Sequence, residues 1–166
     1  MALRLYDTRS RRKRIFETLV EGEVGIYVCG ITPYSPSHIG HARQAIAFDI
    51  IVRWLRKSGF LVNYITNFTD IDDKIIRIAN EENIDFLDVA NRNIDDYFEV
   101  MDLLNVNRAN SYPRVTETIP EIIDMITKLI ENGNAYSSHD GVYFEINTAP
   151  EKYGQLTGQT LEMVRE

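Results

Sequence analysis

The run Val24-Gly25-Ile26-Tyr27-Val28-Cys29-Gly30, followed a short loop later by His38-Ile39-Gly40-His41, decides how this chain folds. The first part reads as an apolar strand ending near residue 30. Beyond the histidines, residues 42–58 read as a helix that is apolar on more than one face, hence buried, with Trp54 in the core. Gly59 ends that helix. Residues 61–66, Leu-Val-Asn-Tyr-Ile-Thr, read as a second strand. Strand, crossover helix and strand make a βαβ unit, which implies an α/β fold with a parallel sheet and a right-handed crossover. Ligands of such sheets bind at the carboxyl ends of the strands. Cys29-Gly30 and Asn67-Phe68-Thr69 lie at those two ends. His38 and His41 sit at the crossover, where helical N–H groups and the helix dipole favour a phosphate. Gly40 has no Cβ, so a flat ring can pack on its backbone. By themselves the two histidines read equally as helix caps or as exposed surface residues.

Outward from this unit, residues 3–7 and 15–20 read as short strands. Between them lies the basic run Arg9-Ser10-Arg11-Arg12-Lys13-Arg14, read as an exposed turn, with a nucleic-acid contact as the alternative. Helices are expected over 71–82, 85–104 and 119–130. The last carries Ile119, Ile122, Ile123, Ile126, Leu129 and Ile130 at helical spacing, with Thr118 and Glu121 as a capping box and Gly133 as the stop. Residues 135–138 and 142–146 read as a hairpin around His139-Asp140-Gly141. Asp70, Asp72 and Asp73 look like a metal cluster, but adjacent helical residues point apart, which favours charge pairing with a helix N-terminus.

Composition excludes several classes. The chain has 166 residues, 44% hydrophobic and 26% charged, one domain's worth of ordinary soluble sequence. No apolar run approaches the roughly 20 residues that span a bilayer, so no membrane partner is expected. The N-terminus has no signal-like apolar region. The single cysteine cannot form an internal disulfide, which suits a reducing cytoplasm. Taken alone, Cys29 reads as a small buried hydrophobe. A net charge of −7 argues against strong nucleic-acid binding by the chain as a whole.

Tyr27-Val28-Cys29-Gly30, Tyr34, His38-Ile39-Gly40-His41-Ala42-Arg43, Ala47-Phe48-Asp49 and Asn67-Phe68-Thr69-Asp70-Ile71-Asp72-Asp73-Lys74-Ile75-Ile76 together resemble the class I aminoacyl-tRNA synthetases, cysteinyl-tRNA synthetases in particular. The likeness extends from residue 3 through Tyr153-Gly154-Gln155-Leu156. It implies a Rossmann-like, HUP-type parallel sheet with flanking helices. Residues 1–135 would be the first half of the nucleotide-binding domain, and 136–166 the start of the family's connecting insertion. It also implies ATP-dependent activation of L-cysteine to cysteinyl-adenylate and transfer to tRNA(Cys), with Mg2+ accompanying ATP. Thr32, His38, Gly40 and His41 would then bind ATP, with His38 and His41 the catalytic pair. Gly30 and Thr69 would contact the cysteine, although Thr69 also reads as a cap of the next helix.

Cys29 would be one ligand of a Zn2+ ion that takes the substrate thiolate. Zinc favours sulfur at about 2.3 Å, so a metal bond separates cysteine from serine where pocket shape cannot. The family's remaining zinc ligands, its lysine-rich catalytic loop and its tRNA-binding helical region have no counterpart in these residues. One thiolate does not hold zinc tightly. The expectation is therefore a half-site with a free thiol, inactive alone, belonging to an enzyme that is monomeric at full length. Thr32-Pro33-Tyr34 also resembles mycothiol-type cysteine ligases, and a short nucleotide-binding paralogue without catalysis is a third reading.

Overall fold

The computed structural model describes residues 3–160 and 162–163; of the expected insertion 136–166, residues 161 and 164–166 lie outside the described residues. In chain order the elements are β1 (Arg4–Asp7), β2 (Arg12–Ile15), β3 (Glu23–Ile31), α1 (Ile39–Lys57), β4 (Leu61–Phe68), α2 (Asp73–Glu82), α3 (Phe86–Leu103), α4 (Ile119–Glu131), β5 (Ala135–Ser137) and β6 (Val142–Phe144), with a 3₁₀ turn at Ile146–Thr148. They gather into two compact units. Residues 18–119 form one, and residues up to 17 with those from 120 onward form the other.

The larger unit is the βαβ arrangement. β3 and β4 pair in parallel, from Glu23 opposite Leu61 to Val28 opposite Thr66, and then slip in register so that Ile31 faces Phe68. Segment 110–115 runs along the other edge of β4. The Asn110 N–H donates to the Tyr64 carbonyl at 2.7 Å, and the Phe68 N–H donates to Pro113 at 3.0 Å. Pro113 has no N–H to return, so this neighbour stays irregular. None of the expected elements anticipated it.

α3 is the spine of the unit. Val89 and Ala90 pack with Ile75 and Ala79 of α2, Ile94 packs with Ile31 and Phe68 of the strands, and Met101 packs with Ala42 and Ala45 of α1. Phe68 stacks on Tyr112 at 5.4 Å and meets Tyr97 and Phe98 edge-on. α2 and α3 end on the left-handed residues Asn83 and Asn105, whose following N–H groups bond back to Ala79 and Met101.

Two expectations for α1 need correction. It begins at Ile39, earlier than residue 42, because the histidine motif forms its first turn. Its buried residues are Ala42, Ala45, Asp49, Val52 and Leu55, while Ile50 and Trp54 are exposed, Trp54 at 47%. A small sheet covers only one face of a helix, so burial all round and a core place for Trp54 do not hold.

In the smaller unit, β1 and β2 form an antiparallel hairpin with Tyr6 opposite Lys13 and Asp7 opposite Arg12. The Asp7 carboxylate accepts the Arg9 and Ser10 N–H groups and closes the turn at residues 8–11. Arg12, Lys13 and Arg14 therefore lie in a strand, and the strand expected over 15–20 is absent. α4 ends at Gly133, φ +70°, where the Asn134 N–H bonds to Leu129. The Thr118 hydroxyl, expected in a capping box with Glu121, donates to the carbonyls of Arg114 and Val115. β5 and β6 make the expected hairpin, Ala135 opposite Phe144.

Candidate active site

The first turn of α1 is closed by two imidazoles. The Gly40 N–H donates to His38 Nδ1 at 3.0 Å, and the His38 N–H donates to His41 Nδ1 at 3.4 Å. This is a capping box built from histidines, with His38 at the extended N-cap position, φ −131°. The rings stack with centroids 3.8 Å apart. Because both Nδ1 atoms accept, each neutral ring carries its proton on Nε2 as a remaining donor. No acidic residue occupies the first turn of α1 itself, so the carboxylate facing its positive end comes from α3, as Asp96. Capping and anion recognition are thus compatible: one nitrogen serves the helix and the other stays available.

Gly40 has a more local purpose than its sequence suggested. A Cβ there would lie 2.7 Å from His38 Cε1, so the flat ring packed on its bare backbone is His38 itself. Burial pushes the His41 imidazole below the usual histidine range, the neighbouring His38 lowers it further, and Asp96 pulls it back up. Asp96 also accepts the Ser37 N–H at 2.7 Å. Asn93, on the same helix α3, donates to the Pro33 carbonyl at 3.2 Å. Both ends of the loop before α1 are therefore held by α3. Lys74 lies over the Tyr34 ring at 5.0 Å.

At the carboxyl ends of β3 and β4, Asn67 joins the expected residues. Its Oδ1 accepts the Gly30 N–H and the Tyr27 hydroxyl, both at 2.9 Å, and its Nδ2 donates to Thr69 Oγ1 at 3.3 Å. Gly30 and Thr69 are thus brought together through one side chain. Thr69 does not cap α2, because Asp72 does so by accepting the Lys74 N–H. Gln44, in the second turn of α1, donates to the Cys29 carbonyl at 2.9 Å and ties the strand end to the helix. Thr32 is half-buried, and its carbonyl accepts the Tyr34 N–H.

Cys29 is exposed and its thiol is free, so the reading of a buried small hydrophobe fails. The acidic cluster also separates. Asp70 is fully buried and accepts both the N–H and the hydroxyl of Thr116, at 3.0 and 2.6 Å, while Asp72 is a helix cap. Among the described residues, no group of three or more His, Cys, Asp or Glu could hold a metal ion. The residues present do not make a zinc site, and Cys29 can be one ligand at most. Sequence reasoning assigned no role to Gln44, Asn67, Asn93 or Asp96, whose importance lies in partners 15 to 60 residues away.

Comparison with known proteins bears on this geometry. A family model described as "tRNA synthetases class I (C) catalytic domain" matches residues 15–166. A cysteine–tRNA ligase of Idiomarina loihiensis is 49% identical over 166 residues, 99% of this chain and 36% of that protein. One of Thermococcus onnurineus is 50% identical over 162 residues, 98% of this chain and 34% of that protein. The chain thus spans about a third of the length of the curated relatives it matches. Among solved structures, a Mycobacterium tuberculosis methionyl-tRNA synthetase in complex with methionyl-adenylate superposes with a TM-score of 0.61 at 23% identity. That match covers 68% of this chain and 23% of the other, and it speaks for the fold alone.

Proposed function

The chain belongs to the catalytic-domain family of the class I (C) tRNA synthetases, and from that premise we propose that it supplies the ATP-binding half-site of a cysteine–tRNA ligase. The observation that carries this reading is the histidine capping box, which leaves two Nε2–H donors at a helix N-terminus whose first turn holds no acidic residue. In the reaction, an oxygen of the cysteine carboxylate attacks the α-phosphorus of ATP. The bond to the β-phosphate oxygen breaks, and cysteinyl-adenylate and pyrophosphate form. The carboxylate is already anionic at neutral pH and needs no general base. His38 and His41 act by donating hydrogen bonds as charge redistributes on the phosphate oxygens. Holding the reactants in line supplies much of the rate enhancement.

Thr32 and Gly40 belong to the same ATP site in this reading, and Gly30 and Thr69 to the cysteine site. Mg2+ enters with ATP. Cys29 contributes one thiolate to a zinc ion whose other ligands are not among these residues. Transfer to tRNA(Cys), residues 136–166 as the start of an insertion, a monomeric full-length enzyme and a cytoplasmic location are parts of the same proposal. Relatives near 49% identity named cysteine–tRNA ligase favour it over the mycothiol-type ligase to which Thr32-Pro33-Tyr34 points.

The test is a chimera in which this chain replaces the matching segment of the Idiomarina loihiensis enzyme. Cysteine-dependent ATP–pyrophosphate exchange is expected, with a loss of about 10²–10³-fold on His38→Ala, the usual cost of removing one oxyanion donor. A folded chimera without exchange, or one indifferent to His38→Ala, overturns the proposal.

A further inference from the structure

We infer that the β1–β2 hairpin is a docking surface for an unpaired stretch of a nucleic-acid strand, a role that does not depend on whether the chain activates cysteine. Charge is the first observation. Residues 3–17 carry six Lys and Arg against two carboxylates, whereas the rest of the chain carries twelve against twenty-three. A polyanion is repelled elsewhere and attracted here.

The second observation is the arrangement within the hairpin. The pairing puts Lys13 directly opposite Tyr6, and strand alternation puts Arg4 on the same face. Tyr6 is 62% exposed, a large aromatic ring left in water between two cations. Among the described residues, Arg4, Arg12 and Lys13 have no ion-pair partner, and Arg14 has only a loose one, Asp7 at 3.7 Å. Arg4, Arg12, Lys13 and Arg14, with Ile15 and Glu17, border a surface hollow of about 300 Å3.

The third observation is rigidity. Asp7 closes the turn, and Arg11 donates to the Thr157 carbonyl at 3.1 Å. The turn arginine thus braces the hairpin while the strand cations remain free. Cations beside an exposed ring are the two elements of single-strand binding: salt-sensitive attraction for phosphates, and a stacking platform for a base. A duplex, whose bases are already stacked, offers the ring nothing.

The test is fluorescence anisotropy of a labelled twelve-nucleotide single-stranded RNA of mixed sequence, titrated with the full chain at several salt concentrations. Two phosphate contacts, from Arg4 and Lys13 on the Tyr6 face, predict a log–log salt slope of about −1.4, or roughly 7-fold weaker binding at 200 mM than at 50 mM salt. The double variant Arg4→Ala, Lys13→Ala should abolish the slope. Tyr6→Ala should weaken binding about tenfold at an unchanged slope, while Tyr6→Phe keeps the ring and the affinity. The same sequence as a duplex should bind more weakly. No binding at 50 mM salt, equal binding of the duplex, or a Tyr6→Phe variant as weak as Tyr6→Ala overturns the inference.

Discussion

Replacing Gly30 by alanine puts a methyl group 1.5 Å from the Asn67 carbonyl oxygen and 2.6 Å from its carbon. An ordinary carbon contact needs about 3.5 Å or more, and these atoms belong to backbone that cannot rotate away. β3 and β4 must therefore part by about 2 Å where they meet. Two hydrogen bonds break: Gly30 N–H to Asn67 Oδ1, 2.9 Å, and Thr69 N–H to the Ile31 carbonyl, 3.0 Å. At about 1 kcal/mol each, with about 1–3 kcal/mol of overpacking, the cost is about 3–5 kcal/mol. Gly25 is the internal control, because it lies on the same strand and a Cβ there meets nothing within 4 Å. Gly25→Ala should be neutral or slightly stabilising, since glycine costs roughly 0.5–1 kcal/mol relative to alanine in a strand. Urea unfolding followed by Trp54, the sole tryptophan and part of the same unit, measures both. A Gly30→Ala midpoint equivalent to within about 1 kcal/mol of Gly25→Ala would falsify the close-approach argument.

The lowered His41 pKa means that the folded state resists protonation, so its contribution to stability is present above the unfolded value and is lost as pH falls through the folded one. NMR titration should show a midpoint below that of a peptide of residues 36–46, and Asp96→Asn should lower it further; an upward move would contradict the assigned field. Burial pushes the Tyr97 phenol up to about 12. That stability is complete below the unfolded value near 10 and fades as pH rises through about 12. It amounts to about 2 kcal/mol after allowance for partial exposure. Thermal melts of Tyr97→Phe across this alkaline range should show a flatter decline than wild type. Asp70→Ala strands the half-buried Thr116 N–H and hydroxyl and should cost about 2–3 kcal/mol; a loss under about 0.5 kcal/mol would show that Thr116 finds other partners.

Long-range order was legible where it followed from period and punctuation. Apolar strands on either side of a helix gave the βαβ unit, and Gly59 and Gly133 marked two helix ends. The start of α1 was not legible, because a histidine pair at N-cap and N3 lies outside the usual Ser/Thr and Glu/Gln capping vocabulary. Segment 110–115 was hidden because Pro113 and a bond from the Tyr64 N–H to Asn110 Oδ1 replace the regular ladder that alternation would betray. The roles of Asn67 and Asp96 follow from contacts across 37 and 59 residues, which no local pattern encodes. His38, His41, Gly30 and Cys29 could be singled out by resemblance. What each does locally needed coordinates: a cap, a packed ring, a strand contact and an exposed thiol.

The most direct measurement is an ATP·Mg2+ titration followed on the imidazole nitrogen resonances of the three histidines. Before ATP, His38 and His41 should both show unprotonated Nδ1 and protonated Nε2, as the capping box requires. On addition of ATP, their Nε2 signals should move while Nδ1 stays hydrogen-bonded, and His139, in the β5–β6 turn and not part of the site, should not respond. Unchanged His38 and His41 signals at millimolar ATP, or Nδ1-protonated rings at the outset, would contradict the account of this helix start as a phosphate site.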